Sequence, residues 1–166
     1  GQVVVSSGAI AHYYYNAPSE HFHTGPSTNT FYTDDLGYLA ADGQIYITGR
    51  ASRKIISGGE NIFPDEIEAK LRDTGRVKDV YVLGLPHPDW GEIETAVYVP
   101  ATKSTTSAKL KDCLLTADQA TGQLSHYKVP RQWIALSELP RNAQGKLNPA
   151  ALMEQLSSQK LNDAFD

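Results

Sequence analysis

The stretch that most constrains this chain runs from Gly49 to Glu68, Gly-Arg-Ala-Ser-Arg-Lys-Ile-Ile-Ser-Gly-Gly-Glu-Asn-Ile-Phe-Pro-Asp-Glu-Ile-Glu. A basic turn, a β-branched pair, two glycines and a helix start follow one another without a gap. Ile55 and Ile56 favour a strand. Gly58 and Gly59 supply the positive φ of a tight loop and leave room for another backbone or a ligand. Pro64 suits the first turn of a helix, where its missing N–H costs little. Asp65, Glu66 and Glu68 then place negative charge where the helix dipole favours it. These signals specify a strand, a glycine loop and a helix.

On either side the pattern alternates between strands and helices. Gln2 to Val5 reads as a strand closed by Ser6-Ser7-Gly8. Tyr13-Tyr14-Tyr15 leads as an exposed aromatic cluster into Asn16-Ala17-Pro18, and Ser19 to Thr30 reads as a polar surface loop. Phe31 to Tyr38, the turn Asp42-Gly43 and Gln44 to Thr48 form a hairpin pattern. The helix from Asp65 to Arg72 puts Ile67 and Leu71 on one face with charge on the other, and Gly75 stops it. Val77 to Leu85 and Ile93 to Val99 read as strands, with Pro86 to Glu92 as a rigid loop presenting the indole of Trp90. Ser107 caps a helix expected to reach about Gln123 with Leu110, Leu114 and Leu115 buried. A short strand from Gln132 to Leu136 and a helix from Pro149 to about Leu156 complete the pattern, followed by a polar tail.

Composition narrows the partners. A net charge of −4 argues against a general nucleic-acid or anionic-membrane surface, so any anionic ligand has to be met by a few placed cations. No apolar run approaches the roughly 20 residues that span a bilayer, and Gly1 to Ile10 lack the pattern of a secretory signal. The single cysteine, Cys113, excludes an internal disulfide framework, suits a reducing compartment and fits the buried face of a helix. His21 and His23 lack a third nearby ligand, so no metal site is expected.

The order Gly49-Arg50, a short spacer, Ile-Ser-Gly-Gly-Glu-Asn-Ile-Phe-Pro and Glu-Ile-Glu resembles the hinge-and-loop signature of the adenylate-forming enzymes, the acyl-CoA synthetases in particular. Two more segments are similar to motifs of that family, in order. Phe31-Tyr32-Thr33-Asp34-Asp35 resembles its Tyr-x-Thr-Gly-Asp motif, with Asp34 where the family has glycine. Pro140 to Leu147, ending Gly145-Lys146-Leu147, resembles its closing motif.

The resemblance implies an α+β fold, a small mixed sheet flanked by helices, preceded by β-hairpin structure belonging to a larger N-terminal domain. It divides the chain into 1–50 (end of that domain), 51–157 (a lid domain) and 158–166 (a polar tail), and implies that the chain begins inside a longer cytoplasmic enzyme. Asp35 would accept hydrogen bonds from the ribose of ATP, which suits a carboxylate with two acceptor oxygens and no donor; whether Asp34 or Asp35 points inward stays open. Arg50 would help hold the nucleotide, and Ser52, where the family commonly has aspartate or lysine, would be the hinge. Lys146 would meet the substrate carboxylate and the α-phosphate during adenylation. After a swivel of the lid, Gly58 and Gly59 would line the pantetheine passage, with Trp90 and Tyr127 near CoA. Lys128 either meets a CoA phosphate or is solvated.

ATP, Mg2+ held mainly by the N-terminal domain, a carboxylic acid and CoA are the implied reactants. The implied partner is the chain's own N-terminal domain. The wording of the glycine motif resembles acid–CoA ligases, with o-succinylbenzoate–CoA ligase of menaquinone or phylloquinone synthesis as the nearest resemblance. A carrier-loading adenylation domain and a non-catalytic module of the same fold remain as alternatives. Because the family's Ser/Thr/Gly-rich phosphate loop and acid pocket are missing from the sequence, the chain alone is expected to be inactive.

Overall fold

Strand β8 (Gly91–Pro100) sits at the centre of the main sheet, because Glu94 through Val99 are buried on both sides of it. Such a run reads as near-continuous apolar sequence rather than alternation. β8 pairs antiparallel with β7 (Val77–His87) over almost its whole length, from Val77↔Pro100 to His87↔Gly91. Along its other edge β8 takes β9 (Gln132–Ala135) in parallel and, at its start, β5 (Ile55–Ser57) through Ser57↔Gly91. β5 pairs in turn with β6 (Glu60–Ile62). The result is a five-stranded mixed sheet with helices α1 (Pro64–Asp73), α2 (Ser107–Thr116) and α3 (Pro149–Asp163), the α+β architecture expected.

The computed structural model of the chain describes residues 1–11, 22–24, 29–116 and 124–163. The cluster Tyr13 to Pro18, His21, the Gly25-Pro26 loop, the expected helix continuation to Gln123 and the last three residues lie outside the described residues.

Two cores hold the layers together. On one face of the sheet Ile55, Ile62, Val80, Val82 and Ala96 meet Ile67 and Leu71 of α1 and Leu110 and Leu114 of α2. On the other, Val97 and Val99 meet Leu136, Leu139 and Leu152 and Leu156 of α3. Each fully buried Ile or Leu contributes about 1.5–3 kcal/mol, so both faces are strongly driven to close. No helix among the described residues is long and apolar enough to cross a membrane.

Ahead of this body lies a second sheet in which β3 (Asn29–Leu39) pairs with β1 (Gln2–Ser7), β2 (Phe22–Thr24) and β4 (Ile45–Arg50). Its hairpin turn uses Gly43 at φ 84° and a bond from the Gln44 N–H to Asp42. Tyr38, Leu39, Ile45 and Ile47 at its tip are each more than half exposed. A 3₁₀ turn, Ala51–Arg53, leads from this sheet to β5.

Four local features differ from the sequence reading. The glycine loop is the turn of a hairpin: Gly58 (φ 56°) and Gly59 (φ 87°) are both left-handed, and Glu60–Ile62 returns as a strand before the helix. Two successive positive φ values give the turn whose twist matches paired strands. The Pro86 to Glu92 loop shrinks to a three-residue turn, because β7 continues to His87 and β8 starts at Gly91. β2 forms within the segment read as loop, and α3 continues to Asp163 through the segment read as polar tail.

Candidate functional site

The first cluster lies where the two sheets meet. Asp35 and Arg50 are cross-strand partners of β3 and β4, and Arg50 Nε stands 3.3 Å from Asp35 Oδ1. Both line a cleft of about 650 Å3 with Tyr46, Thr48, Glu66 and Lys128. The pair is solvent-accessible and therefore worth about 0–1 kcal/mol, so either member can be turned to a ligand at little cost. Successive strand residues face opposite ways. Asp34 accordingly faces the chain beyond β4, where its carboxylate accepts bonds from the Ser52 N–H (3.0 Å) and the Ser52 hydroxyl. Of the two aspartates, Asp35 is the one on the cleft. Lys128 is neither free nor simply solvated, since its ammonium stands 2.7 Å from Glu66 on α1.

Directly after Ser52, Arg53 is tied into the body built on the five-stranded sheet. Its guanidinium bonds Asp65, Glu68 and the carbonyl of Val82, and stacks 4.6 Å over Tyr81. Glu68 also accepts from Arg72 and from the Val82 N–H. This corrects the reading of α1 as apolar on one face and charged on the other: Glu68 is only 3% exposed, and its buried carboxylate is satisfied by two arginines and a backbone amide. Burial opposes the charge on Arg53, but the bond to Glu68 and the charges of Glu68 and Asp65 outweigh it and raise its pKa. Ser52 thus stands between one residue bonded to β3 and another fastened to α1 and β7.

The second cluster is the glycine hairpin, tied to the β7–β8 turn. Gly58 N–H donates to the carbonyl of Trp90 at 3.0 Å, and the Ile56 N–H to Glu92 at 2.9 Å. A Cβ on Gly58 would lie 2.7 and 2.8 Å from Cε3 and Cζ3 of Trp90 but 4.0 Å from Cδ2, so the indole meets Gly58 edge-on and only glycine fits. A Cβ on Gly59 would meet nothing within 4 Å. One face of the indole is covered by the guanidinium of Arg131, 3.8 Å from the ring centre. Tyr127 is 42% exposed on the 3₁₀ turn His126–Lys128, with the Lys128 ammonium 5.9 Å from its ring.

The third is the loop 141–147. Asn142 organises it: its side-chain oxygen accepts from the N–H groups of Gln144 and Lys146, and its own N–H donates to the Lys146 carbonyl. Arg141 donates to the Gly145 carbonyl at 2.7 Å and pairs with Asp79 on β7. The Lys146 side chain is exposed. Asp79 stands near the open end of the β7–β8 ribbon and Gly58 at its turn end, so at the strand rise of about 3.3 Å per residue the two loops are roughly 25 Å apart.

Among the described residues no three His, Cys, Asp or Glu side chains converge as a metal site. His23 lies in β2 and His21 outside the described residues. Cys113 is half-buried in α2 beside Leu114. The sequence reading missed Arg131 and Glu94. The signal for Glu94 was available, a carboxylate inside an otherwise apolar central strand; Arg131 had none beyond its position after Pro130.

Residues 66–146 match the family described as AMP-binding enzyme C-terminal domain. The chain is 34% identical to the long-chain-fatty-acid–CoA ligase FadD13 of Mycobacterium tuberculosis over 95% of its own length and 30% of that protein. It is 35% identical to the 2-succinylbenzoate–CoA ligase of Bacillus mycoides, over 89% of the chain and 29% of the relative. Among solved structures, o-succinylbenzoate CoA synthetase (MenE) from Bacillus subtilis in complex with the acyl-adenylate intermediate OSB-AMP superposes with a TM-score of 0.75 at 34% identity, over 89% of this chain and 29% of that one. The chain therefore spans about three tenths of the length of the relatives it matches.

Proposed function

The chain belongs to the AMP-binding enzymes by its C-terminal domain over residues 66–146, and on that premise we propose that it is the lid portion of an AMP-forming acid–CoA ligase. In the first step a carboxylate attacks the α-phosphorus of ATP, giving acyl-AMP and pyrophosphate. Lys146 is the chain's contribution there: an ammonium on a long stem meets the negative charge that gathers on the phosphoryl oxygens as the carboxylate attacks. In the second step the thiolate of CoA attacks the acyl carbonyl and AMP leaves. Gly58 and Gly59 then offer bare backbone beside the pantetheine arm, with Trp90 and Tyr127 close by. Asp35 and Arg50, on the cleft between the sheets, hold the ribose and phosphate side of the nucleotide. ATP brings Mg2+, which the rest of the enzyme holds.

The observation that carries this reading is the separation of the two loops. Lys146 and the glycine hairpin stand at opposite ends of one rigid ribbon, so a single reaction centre can be offered only one of them at a time. A turn of the lid at Ser52 is what exchanges them, and the fastening of Arg53 to Glu68 lets everything beyond residue 53 turn as one body.

The narrower reading is 2-succinylbenzoate as the acid, as in menaquinone or phylloquinone synthesis. The named relative and the MenE structure support it, while FadD13 at similar identity supports the broader class. The test is pyrophosphate exchange by the full-length protein over a panel of carboxylic acids including 2-succinylbenzoate, followed by product analysis with CoA and with a carrier protein as acceptors. The expected outcome is exchange with an acid of this class and a CoA thioester as product. The isolated 166-residue chain is expected to form no acyl-AMP; acyl-AMP from that chain alone, or transfer only to a carrier, overturns the assignment.

A further inference from the structure

Glu94 is fully buried, on the face of β8 that also carries Ala96 and Tyr98, and neither of its carboxylate oxygens has a hydrogen-bond partner among the described residues. A side chain in that state is costly and calls for a reason. It pairs with Arg131, whose Nε stands 3.5 Å from Glu94 Oε2. The two backbones are also joined, Arg131 N–H to the Glu94 carbonyl at 3.0 Å. Arg131 does not bury its charge; it is 39% exposed and lays its guanidinium over the Trp90 indole. That indole in turn closes edge-on against Gly58.

We propose that Glu94 is a positioning residue for the CoA step, acting through Arg131 and Trp90 to fix the wall of the glycine passage. The proposal rests on the ligase reading above and assigns the buried carboxylate a place in it. Glu94 acts on geometry rather than on charge at the reacting centre. An exposed arginine samples many rotamers, whereas a carboxylate locked in the sheet below it selects the one that stacks on the indole. A cation held over an aromatic face is worth about 0.5–1 kcal/mol at an exposed site and more when desolvated. With the indole held, its edge stays against Gly58 before CoA arrives, and the ordering cost is not met during binding. The lysine loop lies at the other end of the ribbon and shares none of these residues, so adenylation is insensitive to the arrangement.

The test uses the full-length protein with Glu94→Gln, which keeps the shape of the side chain and removes its charge. The KM for CoA is expected to rise about tenfold while pyrophosphate exchange stays within about twofold. Glu94→Gln is also expected to change tryptophan emission, and that change is expected to vanish in a Trp90→Phe background. Trp90→Phe alone should raise the KM for CoA, and adding Glu94→Gln to it should add little, since both act on one wall. An unchanged KM, or equal losses in both half-reactions accompanied by a lowered melting temperature, overturns the proposal and leaves Glu94 as a structural residue. Should the full-length protein form no acyl-adenylate at all, it is the ligase reading that falls; the emission comparison then still decides whether Glu94 governs the indole.

Discussion

The lysine loop and the glycine hairpin are built in opposite ways. In 141–147 the chain holds its own backbone, through Asn142 and the Arg141 bonds to Gly145 and Asp79, and leaves one long side chain projecting. At Gly58-Gly59 the side chains are what is missing, and the walls come from elsewhere: Trp90 and Arg131 on one side, Glu92 beneath Ile56. A charge that follows a changing transition state gains from a stiff base and a free arm. A passage gains from bare backbone and neighbours that do not move.

The contrast predicts which step each change damages. The largest effect is expected from Lys146→Ala in the full-length protein, with adenylation falling about 100–1,000-fold, the scale of removing one electrostatic stabiliser of a transition state. Thioester formation from supplied acyl-adenylate should stay within about twofold; pyrophosphate exchange and single-turnover thioesterification measure the two steps, and an equal fall in both would erase the division of labour. Next comes the pair Gly58→Ala and Gly59→Ala. At Gly58 the left-handed backbone costs about 1–2 kcal/mol and the clash with the indole about 1–3 kcal/mol more, whereas at Gly59 only the first cost applies. Urea unfolding should rank them in that order, and both should raise the KM for CoA, since each adds a methyl beside the passage; equal losses of stability would mean that the indole yields freely. The smallest effect is expected from Asp79→Asn, which removes a partly exposed ion pair worth about 0–1 kcal/mol. A change in adenylation of more than a fewfold there would show that the lysine loop depends on the sheet rather than on Asn142.

Individual residues show what was legible beforehand. The helix after Pro64 follows from helical spacing, and the paired strands β7 and β8 from runs rich in Val, Leu, Tyr and Ile that the sequence displays directly. The hairpin at Gly58-Gly59 was half legible: the positive φ was evident, but Glu60-Asn61-Ile62 has no alternation to declare a strand, and only the pairing with Ile55–Ser57 makes it one. Glu68 was misread and the partner of Glu94 was missed for a shared reason. Glu68 lies in the first turns of a helix, where a charge is ordinarily solvated, and Glu94 inside a central strand, and each is met by an arginine contributed from elsewhere, Arg53 fifteen residues before and Arg131 on the far side of α2. Long-range pairing of that kind leaves no trace in local spacing. Residue types of the cleft, Asp35 and Arg50, were legible as chemistry; that they face each other across two strands depends on register, which the turn at Asp42-Gly43 sets only as far as Gly37 and which an irregularity between Leu36 and Gly37 then shifts by one residue.

On the proposed function, the grip of Asp34 on Ser52 gives the pivot a catch. A swing that turns Ser52 itself away from β3 has to undo two contacts to the same carboxylate, so the joint is set to click between positions instead of drifting. A glycine at position 34 would leave the joint loose, and the rate at which the body leaves this orientation would then be limited by the backbone alone.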